Sequence, residues 1–389
     1  MFASLRCAAF LIAASIVAPT LHGQQSSRSP SGQSSLREAL QAKFQELHQA
    51  GSFPGGTAAV ARDGQVIGLA VGVSDRTAQT RMKSTDRLLL GSVGKTYVSA
   101  VALQLGHEGK IGLQDPIAKY FGNEAWLKRI AHSDRITVRQ LMTHTSGLVR
   151  YELNPKFTAD LTASPDKVWS PEDRIAYLFD AQPPFAPGKG WEYSDTNYIV
   201  LGMVIERVGG APYYDQLRKR ILQKHRLNDT IPVESRTVPG LVQGYAGPNN
   251  PFGGSDEMIK DGKFAVNPQF EWTGGGLAVT ATDLARWAQL LYGGKVIDAS
   301  LMDDLIDGVP AKLGPETKYG LGVIIRPTQF GVTYGHSGFM PGYQTDVMYF
   351  PELKASIAVQ VNSSAPRSTG RPLRGFLTDF AQIVASARP

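Results

Sequence analysis

Ser92-Val93-Gly94-Lys95 places a hydroxyl and an amine three residues apart. On a helix that spacing puts both on one face, with about 5–6 Å between Cβ atoms. Such a pair suits acyl transfer: the hydroxyl attacks a carbonyl carbon and the amine handles its proton. Val98, Val101, Ala102 and Leu105 form one apolar face, and Gly109 closes it, which predicts a helix with Ser92 in its first turn. There the unpaired backbone N–H groups favour developing negative charge. The amine is the harder part. A lysine of ordinary pKa is neutral about once in several thousand at pH 7, and holding it neutral costs about 4.6 kcal/mol. Burial or a cationic neighbour must therefore lower that pKa before the lysine can act as a base.

The spacing alone decides little. Ser164 and Lys167 repeat it, but Pro165 and Pro171 leave no long helix around them. Ser92 also has a plain alternative as a helix N-cap. Gly94-Lys95-Thr96 matches the end of a phosphate-binding loop, yet the glycine required five residues earlier is Leu89. No G-x-S-x-G stretch occurs, so an α/β-hydrolase nucleophile elbow is absent.

Two further segments change the balance. Trp191-Glu192-Tyr193-Ser194-Asp195-Thr196-Asn197-Tyr198 precedes a helical pattern, and Gly335-His336-Ser337-Gly338 stands at a strand end before Pro341-Gly342. With the Ser92–Lys95 stretch they resemble, in order, the three motifs of the penicillin-recognising serine hydrolases. The similarity is to the class C β-lactamase and serine DD-peptidase group, which also includes family VIII esterases. Residues 136–148 (ITVRQLMTHTSGL) and 274–291 (GGGLAVTATDLARWAQLL) resemble the same group, and the likeness runs over residues 36–385. The resemblance implies Ser92 as the acylated nucleophile, with Lys95 and Tyr193 sharing the proton traffic and His336 opening the third motif. It implies an oxyanion hole from the backbone N–H groups of Ser92 and Phe339, at about 3 kcal/mol per donor. Asp195, Ser337 and Gly338 fall at substrate-binding positions.

One departure stands out. The second motif of the family reads Tyr-x-Asn, and here it reads Tyr193-Ser194-Asp195. Asn both donates and accepts, whereas ionised Asp only accepts. A carboxylate beside Lys95 also favours the charged amine, against base duty. Neutral His336 is a weaker anchor for a substrate carboxylate than lysine. His144, in THTSG, reads as a structural residue bonding its own loop.

Positioning these residues requires a particular set of elements. Leu36, Leu40, Phe44 and Leu47 recur at helical spacing before Gly51. Thr57–Ala61 and Gln65–Val71 are β-prone and joined at Asp63-Gly64, a hairpin signal. Leu201, Ile205 and Val208 mark a helix ended by Gly209-Gly210, and Thr280 with Asp283 opens another that closes at Gly293-Gly294. Strand character returns at 320–326, 332–336, 344–350 and 356–361, and 370–387 reads as helix. The expected fold is α+β: one antiparallel sheet built from both termini, flanked by terminal helices, with a large mostly helical insertion. The α/β part would be 36–91 and 311–389, and the helical part 92–310.

The 389 residues carry a formal net charge of +6 and no long block of Lys and Arg, which argues against a nucleic-acid partner. Seven histidines without a close pair argue against a catalytic metal, and nothing asks for a cofactor. Arg6 followed by the apolar run Ala8–Ala18 and Pro19 reads as a signal peptide over 1–23, hence a secreted or periplasmic protein. The single cysteine, Cys7, falls inside it, leaving the rest without a thiol. Residues 24–35 read as a disordered Ser-rich tether. The expected substrates are D-Ala-ended peptides or β-lactams, with short acyl esters as the alternative and cell-wall peptidoglycan as a candidate partner. A non-catalytic binding protein of the same fold is the reading from a different class.

Overall fold

The computed structural model describes residues 30–248 and 250–387. The signal-peptide reading lies outside the described residues, as does the first half of the tether. The second half of that stretch is helical: α1 runs Pro30–Ala50, with proline at its start, where a missing N–H costs nothing.

Two strands, β1 (Gly55–Arg62) and β2 (Gln65–Asp75), form the expected hairpin. Asp63 and Gly64 both have positive φ, 53° and 76°, as a two-residue turn matched to strand twist requires. From the C-terminal half come β3 (Ile324–Thr328), β4 (Gly331–Met340), β5 (Tyr343–Phe350) and β6 (Ala355–Val361). All neighbours pair antiparallel in the order β2-β1-β6-β5-β4-β3. The long-range β1–β6 pairing, Gly56 opposite Val361 to Arg62 opposite Ala355, closes the two ends of the chain into one sheet. Thr80–Arg81 extends the sheet beyond β2, and Lys318–Tyr319 and Val309–Pro310 extend it beyond β3. The third predicted strand begins four residues late, because Gly322 turns the chain with φ 78° just before Ile324.

Alternation on the strands sends side chains to two cores. Ala58, Val60, Met348, Phe350, Ile357 and Val359 meet Leu40 and Phe44 of α1 and Phe376, Leu377 and Phe380 of the last helix, Leu373–Ser386. The other face, including Ala59, Ala61, Val347 and Ala358, joins the larger core with the helices of the insertion. Three of these helices matter here: α2 (Lys95–His107), α3 (Asp195–Gly209) and α4 (Ala281–Tyr292). The C-terminal helix Leu373–Ser386 is α5.

α4 departs from the expected division. It falls within 92–310, yet it packs against β1 and β6 as a layer of the sheet domain. Its Trp287 stacks on Tyr97 of α2 at 4.0 Å and donates to Thr96 Oγ1 at 2.8 Å. The helix that carries Lys95 is thereby locked to the sheet layer. Thr280 caps α4 by accepting from the Asp283 N–H, and Gly210 ends α3 in the left-handed conformation, as their sequence signals require.

Candidate active site

Ser92 sits on the 3-10 turn Gly91–Gly94, which runs into α2 at Lys95. It caps nothing: the residue before α2 is Gly94, and no side chain closes that end. Gly91 adopts φ 55°, and a Cβ there would stand 2.7 Å from the Phe339 nitrogen and 2.6 Å from its oxygen. Only glycine tolerates both that conformation and that approach. A Cβ on Gly338 would lie 2.0 Å from the Leu90 oxygen. These two glycines bring the Phe339 peptide flush against the turn that holds Ser92. By contrast Ser164 ends a short helix and Lys167 bonds Asp173, so the second Ser/Lys pair makes no site.

Lys95 lies beneath the hydroxyl. Its Nζ is 3.1 Å from Ser92 Oγ, 2.5 Å from Asp195 Oδ1 and 2.6 Å from the Gly274 oxygen. Those contacts use all three ammonium donors. Its side chain is 0% exposed. Burial alone would depress its pKa, but Asp195, then Tyr193 and Glu271, outweigh burial and hold it above the usual lysine range. Lys95 therefore rests as an ammonium ion.

The Tyr193 ring centroid is 5.0 Å from Lys95 Nζ, and its hydroxyl is buried without a well-aligned hydrogen bond. Burial pushes the phenol up, and the neighbouring Lys95 only partly offsets this, so it rests neutral. Hydroxyl, amine and phenol from distant segments thus meet in one place. His144 helps to hold them there. Its ring lies 4.2 Å from that of Tyr193, its Nδ1 accepts from Asn197 Nδ2 at 3.0 Å, and its carbonyl accepts the Glu192 N–H at 3.1 Å. Its bonds therefore go to the segment on either side of Tyr193, beyond the loop of its own that the sequence suggested. Burial first, then Lys95, keeps its imidazole neutral.

His336 has no free nitrogen. Its Nδ1–H donates to the Ser337 carbonyl at 2.6 Å, which leaves Nε2 to accept the Tyr319 hydroxyl at 2.9 Å. Burial, with Lys95 adding repulsion, lowers its pKa to about 3. Its ring still borders Tyr193, at 6.2 Å. Ser337 turns its hydroxyl to the opposite sheet face, where it donates to Asp346 Oδ2 at 3.0 Å, so its side chain does not share the space of Ser92.

Two carboxyls and a guanidinium join the site without any motif to announce them. Glu152 accepts from Arg150 Nε at 2.8 Å and from the Asp195 N–H at 3.3 Å, while its Oε2 is buried and unpaired. Glu271, on the 3-10 turn Pro268–Gly274, lies close to Asp195: a Cβ on Gly274 would be 3.5 Å from Glu271 Oε2 and 3.7 Å from Asp195 Cγ. Burial and then Asp195 raise Glu152 to about 7 and Glu271 to about 8. The native state therefore holds protons that the unfolded chain releases near pH 4.5. Stability from these groups is full below that value and declines as pH rises to about 8. Glu271→Gln should flatten the decline, its advantage in urea midpoint over wild type growing from pH 5 to pH 8. A constant difference across that range counts against the buried-acid reading.

A family model described as Beta-lactamase matches residues 40–380. The chain belongs to the Beta-lactamase family. Penicillin-binding protein 4* of Bacillus subtilis (strain 168) is 26% identical to it over 321 residues, 79% of this chain and 68% of that protein. Esterase EstB of Burkholderia gladioli is 26% identical, over 79% of this chain and 87% of its own length. The solved structure of a D-stereospecific amidohydrolase from Streptomyces sp. superposes with a TM-score of 0.71 at 26% identity, covering 91% of this chain and 97% of that one. The Beta-lactamase-family assignment establishes a serine hydrolase and leaves its substrate open.

Proposed function

We propose that this member of the family is an exported serine hydrolase that cleaves small amides and esters whose acyl part carries a free ammonium group. The observation that carries the reading is the gathering of Asp195, Glu152 and Glu271 beside Lys95, with a neutral His336 at the third motif. Three carboxyls gather beside Lys95 and Arg150, and each of these cations already bonds a carboxyl. Glu152 and Glu271, raised to about 7 and about 8, hold protons that they can release when a further cation arrives. A substrate ammonium favours the ionised form of Glu152 or Glu271 and takes it as counter-ion, whereas the carboxylate of a D-Ala-ended peptide or an opened β-lactam meets two cations already paired with carboxyls. The names of the Streptomyces amidohydrolase and the Burkholderia esterase support amide and ester chemistry at such a site. Export rests on Arg6 and the apolar run after it.

In this reading Ser92 Oγ attacks the carbonyl carbon and the Phe339 and Ser92 N–H groups receive the oxyanion. Lys95 and Tyr193 are both protonated at rest, so the serine proton can move to Lys95 only as Lys95 passes one of its own to Asp195, 2.5 Å away. Asparagine could not accept it. Tyr193 then protonates the leaving group, the acyl bond to Ser92 remains, and water hydrolyses it by the reverse proton path. Tyr193→Phe should therefore lower kcat by about 10²–10³-fold on an alkyl amide and far less on a p-nitrophenyl ester, whose leaving group needs no proton. Equal losses on both would remove Tyr193 from that role. The substrate reading is tested with alanine p-nitroanilide against its N-acetyl derivative. The free amine should have the larger kcat/KM by about 10-fold or more. A faster N-acetyl substrate, or faster acylation by a fluorescent penicillin, overturns it.

A further inference from the structure

Behind the third motif, on the terminal-helix face of the sheet, a cavity of about 620 Å³ opens between β3, β5 and α5. That size lies within the range of small-molecule sites. Arg326 and Arg374 reach it from opposite walls, and Pro327, Met348 and Leu313 supply apolar surface. The two guanidinium groups are near enough to repel. Arg326 is mostly enclosed, yet its Nη1 has only a long contact of 3.4 Å to Ser337 Oγ, and its Nε is buried with no partner. Asp346, 5% exposed, is the acid that faces it, with Oδ2 held by Ser337 and Oδ1 unpaired. Of the other acids on the wall, Asp379 is occupied by Arg371, and Glu316 sits on an exposed loop. Two arginines with donors to spare against one buried acid leave an unanswered positive charge beside an apolar surface.

We propose that this cavity is a binding site for a small organic carboxylate, with the carboxylate between Arg326 and Arg374 and the apolar body on Met348 and Pro327. A guanidinium matches a carboxylate in plane and in donor spacing, which makes paired arginines selective for it over a neutral amide of equal size. The site is independent of the catalytic cleft, since β4 stands between them and sends Ser337 to one face and His336 to the other.

Calorimetric titration with phenylacetate tests this, with 2-phenylacetamide as the neutral isostere and inorganic phosphate as a compact anion. Wild type should bind one phenylacetate saturably. Arg374→Ala, which alters an exposed residue at the start of α5 and spares the fold, should weaken binding about 10-fold or more, and Ser92→Ala should not change it. Several results overturn the proposal: no saturable binding, undiminished binding in Arg374→Ala, equal binding of the amide, tighter binding of phosphate, or loss of binding in Ser92→Ala. The last would place the ligand in the catalytic cleft.

Discussion

Replacing Ser92 by alanine is expected to lower kcat/KM by about 10⁶-fold, the scale seen when a nucleophile that works as part of a unit is removed. The remaining rate reflects binding and oxyanion stabilisation alone. Stability should barely move. Ser92 Oγ is held by a single bond from Lys95, and that ammonium keeps Asp195 and the Gly274 carbonyl when the hydroxyl is gone. A serine-directed fluorophosphonate provides the direct readout. Wild type should gain one adduct by intact mass, and Ser92→Ala none. Labelling that persists in the variant would put the nucleophile elsewhere, and no labelling of a folded wild type would favour the non-catalytic binding protein.

Sequence reading reached the reactive residues because each belongs to a short run whose spacing carries a physical meaning. Ser92 and Lys95 share a helix face, Tyr193 precedes a helix start, and Gly338 lies where only a bare backbone can pass Leu90. The sheet was legible for the same reason, since period-two runs and the Asp63-Gly64 turn are local signals. What escaped depends on tertiary approach. Glu152 lies on the single 3-10 turn Tyr151–Leu153, and Glu271 just precedes the glycines at 274–276, so nothing local marks either as a neighbour of Asp195. The chemistry of Lys95 shows the difference most clearly. From the chain alone, a neutral amine was the natural requirement for a base. The structure surrounds Lys95 with Asp195, Tyr193 and Glu271, which keep it charged and make the acceptor beyond it the relevant question. His336 is similar: its place in the third motif was readable, but its neutrality follows from burial and the nearby Lys95, and its two nitrogens are taken up by Tyr319 and the Ser337 carbonyl.

The second large effect concerns the buried ion pair. Lys95→Met should lower kcat/KM by about 10⁴-fold, because the serine proton loses its first acceptor. It should also cost about 3–5 kcal/mol of stability, since removing one partner of a buried ion pair leaves the other without its counter-charge. Adding Asp195→Asn removes that stranded charge, so the double variant should regain more than half of the lost stability and none of the activity. Urea midpoints and kcat/KM on one ester separate the two effects. A single variant that does not fold beside a double variant that does gives the same answer. If both are equally unstable, the Lys95 side chain matters through packing, and the pairing with Asp195 is not what holds this part of the core. If the double variant recovers activity as well, the proton leaves Ser92 by a route that avoids Lys95, and Tyr193 becomes its first acceptor.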